Sequence, residues 1–232
     1  MTAPPARTGD TSAVTPRAAE TSAPTLGEEI VHAATHGIGA LLSLGALFAL
    51  VAQAALTGTT SAIVAASIFG TSLCLAYLSS TVYHAMPPRF ARAKALLQIL
   101  DHATIHLLIA GTLTPFALCA IGGVWGWALL GVSWSVALVG IVVETTPLRH
   151  RTRLSMSLYV GSGWFGLVAV PFLWASTPLS ALGLLASGGV AYTAGVPFFL
   201  AHPTKWMHAY WHAFVLCGSA LHVAAVALVL VP

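Results

Sequence analysis

The chain has 232 residues, 57% of them hydrophobic and only 6% charged, with a formal net charge of +3. A soluble domain carries roughly 25% charged residues, so this is a polytopic membrane chain with no room for a separate soluble domain. The charge is too small and too dispersed in loops for nucleic-acid binding, and Cys74, Cys119 and Cys217 all fall in apolar stretches, as small buried residues rather than a disulfide framework or a Cys-based metal motif.

Met1 to Thr25 is mostly Ala, Thr, Pro and Ser. Such a segment cannot bury a core, and it is predicted to be disordered. It lacks the apolar stretch of a signal peptide and is expected to be retained. The division is therefore a polar tail over residues 1–27 and a membrane domain over 28–232.

Seven apolar segments follow, near 30–54, 61–84, 96–119, 124–144, 154–175, 179–200 and 207–231. Each is close to the ~20 residues that cross a bilayer as a helix. The fold class is all-α, a seven-transmembrane-helix bundle. All nine Lys and Arg residues sit in the tail or in the second, fourth and sixth connections, including Arg89, Arg92, Lys94, Arg149, Arg151, Arg153 and Lys205. By the positive-inside rule the N-terminus is cytoplasmic, the C-terminus is outside, and the chain is a multi-pass protein of the cell membrane. Pro115, Pro171 and Pro197 lie within spans as candidate kinks. Trp125, Trp127 and Trp174 lie near span ends as interfacial anchors.

With that topology, Tyr83 and His84 fall at the cytoplasmic end of the second span. Asp101 falls a turn or two into the third, and His208 and His212 in the first turns of the seventh. Residues four apart share a helix face, which pairs His208 with His212 and Ser80 with His84. Ionisable groups inside a span are costly and mark functional sites by default. Three neutral imidazoles and one open position form a known catalytic zinc arrangement. Zinc lowers the pKa of bound water to about 7. No Glu stands between His208 and His212, so the helical zinc-protease motif is excluded. Asp101, the one carboxylate well inside a span, is the candidate base, and Ser80 is the candidate partner of Asp101, water or a substrate oxyanion.

Each residue also has a plainer explanation. His208 and His212 alone suit hydrogen bonds to carbonyls of neighbouring helices. Asp101 suits a helix start, and Ser80 suits close packing. His102 and His106 repeat the four-residue spacing and are an alternative ligand pair, turned about 100° and more away from Asp101. His32 and His36 share a face with Glu28 and are expected to line the pocket mouth or to make interhelical hydrogen bonds. Glu144, near Arg149, is expected at the interface. His222 lies about 21 Å along the helix from His208, too far to join the same site.

The run Ser80, Thr81, Val82, Tyr83, His84, then Asp101 seventeen positions later, then His208 and His212, resembles the hemolysin III and adiponectin-receptor (progestin and adipoQ receptor) family. Glu28 and Glu29 ahead of Thr35 and His36, and the stretch from Asp101 and His102 to Thr114, Pro115 and Phe116, look like its bacterial hemolysin III branch. The resemblance covers essentially everything after the tail. It implies a seven-helix bundle with a cytoplasmic N-terminus and an intramembrane zinc held by His84, His208 and His212. Asp101 is then the residue that holds the water, and Ser80 an accessory polar group. It further implies ceramidase-like hydrolysis of a lipid acyl-amide bond, with a membrane lipid or free fatty acid as partner. His106 stands where that branch leads us to expect an aromatic residue.

The family name suggests instead a cytolytic pore with a structural metal. A lipid-responsive sensor without turnover and a proton-coupled transporter are further alternatives. A pore should be lined with polar residues through both leaflets, whereas the outer halves of the spans are nearly all apolar.

Overall fold

The computed structural model describes residues 24–57, 59–202 and 204–230. The predicted tail up to residue 23 lies outside the described residues. Among the described residues, seven helical spans are long and apolar enough to cross a membrane, and there is no strand. In chain order the helices are α1 (Leu26–Thr57), α2 (Thr60–Ala85), α3 (Ala91–Pro115), α4 (Gly123–Thr145), α5 (Thr152–Trp164), α6 (Val170–Ser176), α7 (Leu179–Leu200) and α8 (Met207–Val229). The fifth span is built from two helices, α5 and α6, joined by a tighter 3-10 turn over Phe165–Ala169. Pro171 stands in the first turn of α6, where its missing N–H goes unfelt. Pro115 ends α3, which widens into a π-type turn over Phe116–Ile121. Pro197 lies inside α7, which runs on past it to Leu200.

A span needs apolar residues all round and small residues where backbones meet. Leu41, Leu42 and Phe48 of α1 face outward, as side chains solvated by lipid must. Ala54 of α1 and Ala62, Ala65 and Ala66 of α2 are buried in the shared core, around Phe69 and Leu73. α1 packs chiefly against α2, and α7 against α8. Close approach is enforced at Gly39, where an added Cβ would meet the Tyr77 ring at 2.5 Å and Leu216 of α8 at 2.9 Å. The reversal from α3 to α4 uses Gly122 and Gly123 at φ values of 62° and 53°, a backbone region that glycine enters without penalty.

Polar ties then fix α8 against its neighbours. Ser219 of α8 meets Tyr77 of α2 and Tyr192 of α7, each at 2.7 Å. His222 bonds the Leu185 carbonyl at 3.1 Å, away from the other histidines of α8. At the other end, Glu28 accepts the Trp206 N–H at 2.9 Å. It also accepts the Thr25 N–H and hydroxyl, at 3.0 and 2.8 Å, while the Glu28 N–H donates back to the Thr25 hydroxyl. This is a capping box at the start of α1 whose carboxylate has a second use at the start of α8. Trp206 sits there at φ 67°, a left-handed conformation that is uncommon outside glycine. The beginnings of α1, α3 and α8 and the end of α2 therefore share one side of the bundle.

Candidate metal centre

The histidines gather on that side. His84 comes from the last turn of α2, and His208 and His212 from successive turns at the start of α8. One ligand atom from each lies within 4.8 Å of the other two, a spacing at which the three could hold a metal ion. His84 and His212 are buried and His208 is half-buried.

α1 adds a third wall. Glu29, His32 and His36 recur at helical spacing and face the same cluster. The Glu29 carboxylate lies 2.7 Å from Nδ1 of His84 and, through its other oxygen, 2.7 Å from Lys94 Nζ of α3. Lys94 also donates to the Met86 carbonyl at 3.1 Å. Glu29, His32 and His84 form a second group of ligand atoms within 4.8 Å of one another. His36 stacks on His212 with ring centres 3.5 Å apart, and its other side meets Tyr77. Among the described residues His32 and His36 make none of the interhelical hydrogen bonds expected of them, and the rings around them are imidazoles and a tyrosine. His202, in the loop before α8, places its ring 5.4 Å from His208. Partial desolvation there holds its imidazole below the ordinary histidine value, against the pull of the Glu28 and Glu29 carboxylates.

The donor set fits a metal ion. Glu29 occupies Nδ1 of His84, while Nε2 is buried with no hydrogen-bond partner among the described residues. A carboxylate on one ring nitrogen fixes the tautomer and leaves the other lone pair free for a cation. Nδ1 of His208 and Nδ1 of His212 are likewise buried without partners. Unpaired buried nitrogens are costly in an apolar interior, and a cation among them relieves the cost.

Asp101 belongs to neither ligand group. Its carboxylate lies near the Ser80 hydroxyl and within electrostatic reach of His84. Ser80 itself is buried one turn before His84. His102 and His106 are drawn into a separate cluster. His102 Nδ1 lies 3.5 Å from Glu144, Tyr159 donates to Glu144 at 3.0 Å, and the His106 ring packs on Tyr159 at 4.6 Å. Glu144, expected at the interface, is 0% exposed. Its place near the end of α4 is as expected, but the helix turns it inward against α3 and α5.

Comparison with known sequences bears on the whole membrane domain. Residues 25–223 match the family described as "Haemolysin-III related". The chain belongs to the haemolysin III family. Within it, the chain is 42% identical over 194 residues to "Hemolysin-3" of Bacillus cereus, covering 84% of this chain and 88% of that one. It is 43% identical over 196 residues to the "Hemolysin-3 homolog" of Bacillus subtilis (strain 168), covering 84% and 91%. A more distant similarity, 24% over 167 residues, joins this haemolysin III chain to the human "Monocyte to macrophage differentiation factor", covering 70% and 69%.

Glu29 is the member of the site that spacing within the apolar segments passed over. A signal existed in the sequence: Glu29, His32 and His36 fall at i, i+3 and i+7, one stripe of α1.

Proposed function

We propose that the protein is a zinc-dependent hydrolase of a lipid acyl-amide bond, working at the cytoplasmic leaflet. The observation that supports this is the convergence of His84, His208 and His212 beside the Asp101–Ser80 pair. His84, His208 and His212 hold the metal. Zinc, when bound, supplies a Lewis acid and lowers the pKa of water. Glu29 holds the proton on Nδ1 of His84 and so keeps Nε2 available. Asp101 accepts the proton of the attacking water, and Ser80 aims the carboxylate. The water oxygen bonds to the acyl carbon, the C–N bond breaks, and the proton goes to the departing amine. The products are a fatty acid and a free amine.

An acyl chain has a place to lie. A mainly apolar cavity of about 390 Å³ runs between α3, the broken fifth span, α7 and α8. Its lining includes Leu108, Leu113, Trp164, Leu182 and Trp211, the last adjacent to His212. Tyr159 and Tyr192 add polar points on its wall. A membrane-lytic activity would rest on the name of the Bacillus cereus relative, and the buried histidine cluster does not require it.

The test is release of free fatty acid from a panel of N-acyl lipids by purified protein. Turnover lost in His212→Ala is the expected result. A metal-loaded protein inert across the panel sinks the hydrolase reading.

A further inference from the structure

The hydrolytic reading leaves His32, His36 and His202 of the cluster without a task, and of these His32 is the one that faces all three proposed ligands. His32 is 1% exposed, and neither of its ring nitrogens has a hydrogen-bond partner among the described residues. Its ring centre lies 4.9 Å from His84, 4.9 Å from His208 and 5.2 Å from His212. The three remaining pairs are separated by 5.2, 5.1 and 4.6 Å. All six edges of the four-ring figure thus fall between 4.6 and 5.2 Å, which describes a nearly regular tetrahedron.

A tetrahedral site of four imidazoles has a predictable size. With zinc–nitrogen bonds of about 2.0–2.1 Å and ring centres roughly 1.2 Å farther out, its ring centres are about 5.2 Å apart. The observed ring centres have that spacing, slightly contracted. His36 does not fit it, because its ring lies flat on His212 at 3.5 Å and cannot occupy a separate vertex.

We propose that His32 is a fourth protein ligand, so that the resting metal centre is closed by four imidazoles from α1, α2 and α8. This rests on the metal centre proposed above and changes its coordination. The ligand atoms of His32 group with Glu29 and His84 rather than with all three other rings. That grouping is a poor second cation site, because Glu29 is already shared with the Lys94 ammonium. The χ2 torsion of histidine is broad, and turning it re-aims the ring nitrogens while the ring centre stays nearly in place. The four ligands are then unequal. His84 is braced by Glu29, while His32 has no hydrogen bond to hold it among the described residues. His32 is therefore the ligand that leaves when a position must open for water.

X-ray absorption at the zinc edge reads the ligand count directly on purified, zinc-loaded full-length protein. Wild type is expected to show four imidazole nitrogens. His32→Ala is expected to lose one of them and gain an oxygen while keeping its zinc. His32→Phe, which preserves ring volume, is expected to do the same and decides the matter where the alanine variant does not fold. Three imidazoles and an oxygen in wild type, unchanged in the variants, overturn the fourth ligand and leave the three-histidine centre standing. Wild type that takes up no zinc overturns both.

Discussion

Glu29 and His84 meet at 2.7 Å across the α1–α2 contact, so a carboxylate at the start of the first span sets the tautomer of an imidazole at the end of the second. Lys94 binds the other oxygen of Glu29 and prevents the carboxylate from swinging away. Glu29→Gln keeps the shape and removes the charge. Loss of such a supporting partner typically lowers metal affinity about 10–100-fold, and that is the fall expected in a competition titration against a chelator. Unchanged affinity would mean that Glu29 does not support the site.

Removal of a ligand should have a larger effect than removal of its support. Elemental analysis of purified wild type is expected to find about one zinc per chain, bound as in other sites with three or more imidazoles. His84→Ala is expected to retain almost none. Equal zinc in the two would show that the metal is bound elsewhere.

Asp101 is expected to act on the chemistry and not on the metal, since it lies outside both ligand groups. Asp101→Asn should keep its zinc and lower the rate of fatty-acid release by about 10²–10⁴-fold, the usual contribution of a general base. Loss of zinc together with rate would make Asp101 a ligand instead.

Ser219 ties α2, α7 and α8 through two tyrosine hydroxyls. Ser219→Ala leaves both hydroxyls to find other partners. Hydrogen bonds between membrane helices average about 0.6 kcal/mol, so the expected loss of stability is about 1 kcal/mol, read as a lowered unfolding midpoint in detergent. Gly39→Ala should cost more, about 1–3 kcal/mol, because the Tyr77 ring it would strike is pinned by Ser219. An unchanged midpoint for Gly39→Ala would mean that α1 and α2 have room to separate.

The seven spans are legible in the sequence because hydropathy and length are what the bilayer selects. His84, His208 and His212 are legible because helical spacing and alternating topology bring them to one depth. Glu29 is harder to see, since a carboxylate in the first turn of a helix is already explained by the helix dipole. Glu144 shows the limit of reading by depth. Position along α4 gives its height but not the direction in which it points, and packing against Tyr159 decides that. The break in the fifth span is marked in the sequence only by Pro171, just beyond it. Residues Phe165–Ala169 are as apolar as their neighbours, and the backbone tightens there without any change in composition.

The bond that the Trp206 N–H donates to Glu28 gives the start of α1 an unexpected leverage. Thr25 holds a carboxylate that also binds the backbone N–H just ahead of the last span, two positions before His208. An affinity tag or fluorescent fusion set close ahead of Thr25 will therefore disturb the histidines, whereas a handle beyond the far tip of the last helix leaves them at rest.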